Sequence, residues 1–151
     1  MHNDDQISVL NDLVKINNDR IEGYHKAIEN IKDNNVQLLS LFNGFVMESQ
    51  ENKAELISQV LRLGGASADG TTISGKIYRA WMDVKATFGG DDALSILESC
   101  EGGEDAAKIA YKSAVESGDL DTLSLGVVTK QQASQMQSHN KVKALRDQFK
   151  L

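Results

Sequence analysis

Four polar residues interrupt the apolar stripes of this sequence at positions that a helix would turn inward. They are Asn17, Glu104, Gln135 and His139. Each falls in a run whose apolar residues recur at steps of three and four, the spacing that places side chains on one helical face. A neutral polar group buried without a partner costs about 1–3 kcal/mol, and a carboxylate costs more. These side chains must therefore bind each other, water or an ion, and we predict an interior polar cluster near the middle of the helices.

Two interpretations of this cluster are open. Carboxylates and histidines that project inward from several helices form the metal site of di-metal bundles. A hydrogen-bonded network that fixes the register of the helices, at some cost in stability, uses the same residue types. The network is favoured, because only one histidine, His139, and one clear carboxylate, Glu104, lie on the stripes. We predict that these two side chains face each other in the interior.

A single Glu-x-x-His element, Glu22 with His25, places both side chains on one helical face. A di-metal bundle uses this element twice. At the corresponding end of the chain, Gln135 and Ser138 stand where the second glutamate and histidine are needed. Glu22 and Glu55 join the cluster only if their helices are rotated. We therefore predict no di-metal centre, no catalytic residue and no resident cofactor, while a single weakly held divalent cation remains compatible with the residues.

The elements that position these residues are predicted to be four long helices. The chain has no proline, and it is interrupted by glycines at 64–75, 89–90 and 118–126, with a weaker break at 33–35. The segments between these breaks are roughly 20 to 30 residues long, or about 30 to 45 Å of helix. Their narrow stripes suit near-parallel packing in an antiparallel four-helix bundle. A short extra helix carrying Trp81 is expected in the crossover, and residues 1–151 form one domain.

Two details of this prediction concern the ends of the last helix. Thr129 and Gln132 are spaced as a capping box, so we expect the last segment to open there. The turn before it is placed near Leu123. Of the remaining motifs, the glycine-rich stretch 70–76 lacks the Ser or Thr that a phosphate-binding loop needs after its lysine. Cys100 lies on an apolar stripe, and a buried structural thiol is expected.

Charge and composition limit the partners of this chain. The net charge of −6 argues against sequence-independent binding of nucleic acid and against binding to anionic lipid. No apolar stretch approaches the ~20 residues of a membrane span. The single cysteine cannot form an internal disulfide, so the cytoplasm is the expected location. We expect self-association as a dimer, because several apolar residues widen the buried faces beyond a narrow seam. These residues are Val9, Leu13, Ile16, Leu38, Leu41 and Phe45.

A set of short motifs along nearly the whole chain resembles a known family. The motifs are Leu10-Asn11-Asp12-Leu13 with Gly23-Tyr24, Glu55-Leu56 leading to Leu63-Gly64-Gly65, Gly75, Arg79-Ala80-Trp81, Cys100-Glu101-x-Gly103-Glu104-Asp105 with Tyr111, His139, and Leu145-Arg146-Asp147. They are similar to those of the bacterial ferritin-like four-helix-bundle proteins grouped as a domain of unknown function. The resemblance implies a ferritin-like fold and no established activity.

The resemblance also implies which residues lie inside the bundle. Glu104 and His139 match the family pattern there, with Glu55 and Tyr24 nearby. The sequence departs from the pattern at Tyr78, where a histidine is expected, and at Asn52, where a large apolar residue is expected. The second departure implies that the centre of this bundle is more polar than is usual in the family. Two functions follow. The first is a non-enzymatic helical module that acts through self-association or a protein partner, which the sequence does not identify. The alternative is a metal-binding ferritin-like protein with a degenerate carboxylate and histidine site.

Overall fold

The computed structural model describes residues 3–31, 35–68 and 93–150, and these form four α-helices. The helices are α1 (Asn3–Asn30), α2 (Val36–Arg62), α3 (Ala93–Glu116) and α4 (Thr122–Phe149). Within these residues there is no β-strand. The prediction of an all-α, four-helix bundle is confirmed. The predicted Trp81 helix and the glycine-rich stretch 70–76 lie outside the described residues.

The four helices form a ring in which each helix packs against two others. α1 contacts α2 and α3, and α4 contacts α2 and α3. Neighbours in the ring are antiparallel, because Arg20 of α1 bonds to Glu104 of α3 while Gln6, at the start of α1, accepts from the backbone of Asp121, beyond the end of α3. α2 and α3 therefore run in the same direction, so the end of α2 and the start of α3 lie at opposite ends of the bundle.

The apolar core is divided into two clusters by a layer of polar side chains. The cluster beside the α1–α2 connection contains Tyr24, Phe42, Phe45 and Leu97. The cluster at the other end contains Leu10, Leu56, Tyr111 and Val128. The buried polar residues between them come from all four helices; they include Asn17, Arg20, Ser49, Asn52, Glu104, Gln131, Gln135, Ser138 and His139. The middle of the bundle is thus the place where chemistry could occur.

Helix α1 buries two adjoining stripes because it packs against both α2 and α3. Leu13 and Ile16, from the second stripe, are buried within the same chain, as are Leu38 and Phe45 of α2. The argument that these four residues form surplus apolar surface for a dimer is therefore wrong. Val9 and Leu41, named with them, are half-buried.

Helix α4 begins seven residues earlier than the predicted capping box. Asp121 is its N-cap, and the Asp121 side chain accepts a hydrogen bond of 2.9 Å from the backbone N–H of Ser124. Arg62, at the end of α2, binds the same carboxylate at 2.8 Å. The aspartate satisfies a free N–H group at the helix start and joins α4 to α2. The prediction that Thr129 opens this helix is wrong, because Gly126 continues the helix rather than breaking it.

Candidate functional site: the central polar layer

The centre of the bundle is occupied by a fully buried ion pair between α1 and α3. Arg20 Nε donates to Glu104 Oε1 at 2.8 Å, and Arg20 Nη2 donates to Glu104 Oε2 at 3.0 Å. Both side chains are 0% exposed. Two parallel N–H···O bonds of this kind match the planar guanidinium to the planar carboxylate. Both oxygens of the only carboxylate predicted on the stripes are therefore already bound to a cationic side chain.

Helix α2 contributes a second carboxylate to the same guanidinium. Glu48 Oε1 lies 3.6 Å from Arg20 Nη1, and the Glu48 side chain is 18% exposed. The other oxygen of Glu48 accepts a hydrogen bond of 2.5 Å from Ser138 Oγ of α4. Arg20 thus lies between two carboxylates, one fully buried and one at the edge of the core.

Helix α4 completes the layer with Gln135. The Gln135 side chain is fully buried, and its Nε2 donates to the backbone oxygen of Glu104 at 2.9 Å. Gln135 and Ser138 are three residues apart, so they lie on the same face of α4. All four helices therefore contribute a polar side chain to one linked set, which we call the central cluster: Arg20, Glu48, Glu104, Gln135 and Ser138.

The central cluster has the layout of a di-metal site but not its ligands. Such a site takes a glutamate from each of two helices and a Glu-x-x-His pair from each of the other two. Here α2 and α3 supply Glu48 and Glu104, while α1 supplies Arg20 and α4 supplies Gln135 and Ser138. In the part of the chain that the structure describes, no three His, Cys, Asp or Glu residues are grouped so as to hold a metal ion. The five residues of the central cluster therefore do not include the histidines and the four carboxylates of such a site.

A second network, which consists mainly of neutral side chains, lies next to the central cluster, towards the start of α1. Asn17 Nδ2 donates to the hydroxyl of Tyr111 at 2.9 Å, and that hydroxyl donates to Gln131 Oε1 at 2.8 Å. Gln131 Nε2 then donates to the backbone oxygen of Asn52 at 3.0 Å and to Glu55 Oε1 at 3.1 Å. These bonds connect all four helices, so a sliding movement of any one helix would break them.

The predicted site residues are only partly brought together. Asn17, Glu104, Gln135 and His139 are buried. His139 does not pair with Glu104, however, because its Nε2 lies 2.5 Å from Asp105 Oδ1. Successive residues of a helix point about 100° apart, so Asp105 projects to the edge of the α3–α4 interface while Glu104 projects inward.

Two further carboxylates, which were predicted to join the cluster only if their helices were rotated, lie away from the central cluster. Glu22 is exposed on α1. Glu55 is half-buried at the α2–α4 edge, where Lys130 Nζ lies 3.3 Å from its Oε2. Neither helix is rotated in the way that would have turned these side chains inward.

Sequence reasoning did not predict Arg20, Glu48 or Ser138 as site residues, and the most consequential of the three is Arg20. Its signal was present, because it continues the three- and four-residue steps of the second buried stripe of α1. That stripe consists of Leu13, Ile16, Arg20, Gly23 and Ala27, and all five are buried. An arginine in the middle of such a stripe requires a buried carboxylate, and Glu104 was the only candidate on the other stripes.

Burial and the neighbouring charges shift the pKa of Arg20, Tyr24 and Cys100. Burial alone would lower the pKa of Arg20, but Glu104 and Glu48 together raise it above the usual value, so the guanidinium stays charged. Burial, with the charge of Glu104 second, raises the pKa of Tyr24 and the pKa of the Cys100 thiol. Cys100 is therefore a protonated structural thiol and not a nucleophile.

The interior hydroxyl of Tyr111 gives a prediction about alkaline stability. Burial raises the pKa of Tyr111 from 10.0 to about 12. Because the folded pKa is higher than the unfolded pKa, this group stabilises the fold fully below pH 10, and the contribution is lost as the pH rises towards 12. We expect Tyr111→Phe to cost about 1–3 kcal/mol at neutral pH, since it leaves Gln131 without its donor. Urea unfolding between pH 8 and 11 should show this difference shrinking; a constant difference would contradict the assignment.

Comparisons with known proteins agree with the fold. A family model described as "Domain of unknown function (DUF2383)" matches residues 5–117. A solved structure of a Dps1 mutant from Mycobacterium smegmatis superposes with a TM-score of 0.79 at 14% sequence identity, covering 95% of this chain and 96% of that chain. The search of curated proteins gives no match. Among the described residues, no helix is long and apolar enough to cross a membrane.

Proposed function

The chain belongs to the DUF2383 family of ferritin-like bundles, and from this premise we propose that it is a non-enzymatic helical module that acts through self-association or a protein partner. Its interior ion pairs lie in the bundle core, the region in which di-metal four-helix bundles bind their ions. The observation that carries this proposal is the fully buried, two-bond contact between Arg20 and Glu104.

The charges of the central cluster support the absence of a di-metal centre. A metal ion bound by Glu104 would have to displace the Arg20 guanidinium, which is 0% exposed and already pairs with this carboxylate. A displaced guanidinium would remain buried beside a divalent cation, and like charges in a medium of low dielectric constant repel strongly. Gln135 supplies an amide oxygen but no negative charge. The cluster therefore favours its own arginine over a metal pair.

Metal titration of the wild-type protein tests this proposal. Protein purified without chelator, and without an affinity tag that holds metal, is titrated anaerobically with Fe²⁺ in a calorimeter, and its bound metals are measured by elemental analysis. We expect no tight iron binding. Near-stoichiometric binding of two Fe²⁺ per chain that is lost in Glu104→Gln and in His139→Ala would overturn the proposal.

The alternative function is a single, weakly held divalent cation at the edge of the core. The observation that favours it is the position of Glu48, a carboxylate that borders a groove between α2 and α4. Such a cation would be bound by oxygen ligands near the surface and would leave the Arg20–Glu104 pair intact. The calorimetric titration separates the two functions, because one weak Mn²⁺ or Mg²⁺ event that Glu48→Gln abolishes would indicate the alternative.

Self-association is proposed through the groove between α1 and α3. This groove of about 290 Å³ is lined by Val9, Asp12, Ile109 and Ala110, among others, and the buried Leu13 and Ile16 lie beneath it. Ile109 is 60% exposed. A second copy that covers it would remove this apolar side chain from water, which favours association by roughly 25 cal/mol per Å². We propose a dimer as the simplest closed assembly.

A charged substitution in this groove gives a prediction about oligomeric state. Ile109→Lys is expected to shift the protein to the monomer mass in light scattering at high concentration, because a lysine cannot be buried there without a partner. Met47→Lys is the matched control, since Met47 is 61% exposed on α2, outside this groove. A wild-type protein that is strictly monomeric at high concentration, or an equal effect of the two variants, would contradict the proposal.

A further inference from the structure

Three buried atoms of the central cluster have no hydrogen-bond partner among the described residues. They are Arg20 Nη1, Glu48 Oε1 and Gln135 Oε1. Arg20 Nη1 and Glu48 Oε1 lie 3.6 Å apart, which is too far for a good direct hydrogen bond. Gln135 belongs to the same cluster through its bond to the backbone of Glu104. Buried polar atoms are satisfied in nearly all native proteins, so this set requires an additional ligand.

The chemistry of the three atoms identifies the ligand. One of them donates a hydrogen bond, and the other two are oxygens that accept. We propose that a single water molecule is a structural part of the central cluster, accepting from Arg20 Nη1 and donating to Glu48 Oε1 and Gln135 Oε1. Buried waters typically make about three hydrogen bonds to otherwise unsatisfied groups. The proposal does not depend on the function proposed above.

Charge explains why the ligand is neutral. A metal or ammonium ion in this position would face the guanidinium of Arg20, which is fully buried and positively charged. An anion would face the carboxylates of Glu48 and Glu104. A water molecule can accept a hydrogen bond from the guanidinium and also donate hydrogen bonds to the carboxylate and amide oxygens.

The central cluster borders the groove between α2 and α4 through Glu48. The groove has a volume of about 380 Å³, and Glu48 is among its lining residues together with Asn52, Gln131 and Ser134. Glu48 thus contacts both the groove and Arg20. Because all three atoms are buried from solvent, exchange of this water with bulk solvent requires a movement of the Glu48 side chain.

A crystal structure of the full chain at a resolution that shows ordered water tests the proposal. One crystal is grown in sodium salts, and a second is soaked in a thallium(I) salt. We expect one density peak about 2.7–3.2 Å from all three atoms, without an anomalous signal after the soak. An anomalous peak would assign the site to a monovalent cation, and direct bonding of Arg20 Nη1 to Glu48 with no peak would remove the site; either result overturns the proposal.

Nuclear magnetic resonance measurements on variants in solution provide a second test of the proposal. Nuclear Overhauser contacts between water and the Arg20 guanidinium protons are expected in the wild-type protein and should be lost in Gln135→Met, which removes one acceptor and keeps the side-chain length. Gln132→Met is the matched control on the same helix, and it should keep the contacts. Contacts that persist in Gln135→Met, or that are absent in the wild-type protein, would overturn the proposal. If Gln135→Met does not fold, the wild-type spectrum and the crystal structures still decide it.

Discussion

Arg20→Met is expected to destabilise the fold by about 3–5 kcal/mol, the usual cost of breaking a buried ion pair by removing one partner. Methionine fills much of the space of the arginine stem, so the loss measures the interaction and not a large cavity. Glu104 would remain 0% exposed without its cationic partner, and Glu48 would lose its cationic neighbour as well. Urea unfolding followed by circular dichroism at neutral pH measures the effect.

A double variant separates the ion pair from simple packing. Arg20→Met combined with Glu104→Leu replaces both partners by apolar groups, and buried pairs replaced in this way are often neutral or more stable. The double variant should therefore recover most of the loss, with a clearly non-additive coupling. Arg62→Met is a comparison, because its pair with Asp121 is about one-third exposed, and such pairs contribute roughly 0–1 kcal/mol. A loss below about 1 kcal/mol for Arg20→Met would contradict a central role of the pair.

The sequence predicted the buried face of α3 well because one helical stripe carried it. Leu97, Cys100, Glu104, Ala107 and Tyr111 are all buried. The spacing of these residues decides which side of the helix is covered, and Glu104 was identified as inward for that reason. The partner of Glu104 could not be derived in this way. Which helices adjoin in a ring depends on tertiary packing, and a long arginine side chain reaches across from a stripe adjoining the expected one.

Helix α4 was the hardest element to place, because polar residues form much of its buried face. Gln131, Gln135, Ser138 and His139 all point inward, so the hydrophobic spacing that marks a helix face is weak there. Gln131 was not predicted as an inward residue, and the start of the helix was placed at Thr129 instead of Thr122. When polar residues are buried because they bind partners on other helices, the sequence of their own helix does not show which of them face inward.

Charge reversal at the centre is expected to create the metal site that Arg20 replaces. In Arg20→Glu, a third carboxylate would join Glu48 and Glu104, and their mutual repulsion should destabilise the protein without metal. Oxygen-rich sites of this kind suit Mn²⁺. Mn²⁺ at about 100 times its dissociation constant adds ~2.7 kcal/mol to the stability, which corresponds to a rise in melting temperature of roughly 5–10 °C for a chain of this size. Thermal unfolding with and without Mn²⁺ measures it.

The control for this variant is Arg20→Gln, which removes the positive charge without adding a carboxylate. Its response to Mn²⁺ should be much smaller, and the wild-type protein should show none, because the guanidinium already neutralises Glu104. Elemental analysis after desalting would show bound manganese in Arg20→Glu alone. If Arg20→Glu is unfolded without metal, the recovery of helical circular dichroism on adding Mn²⁺ gives the same answer. The prediction is contradicted if Arg20→Glu is folded and Mn²⁺ does not raise its melting temperature. That result would show that removing the guanidinium does not create a cation site.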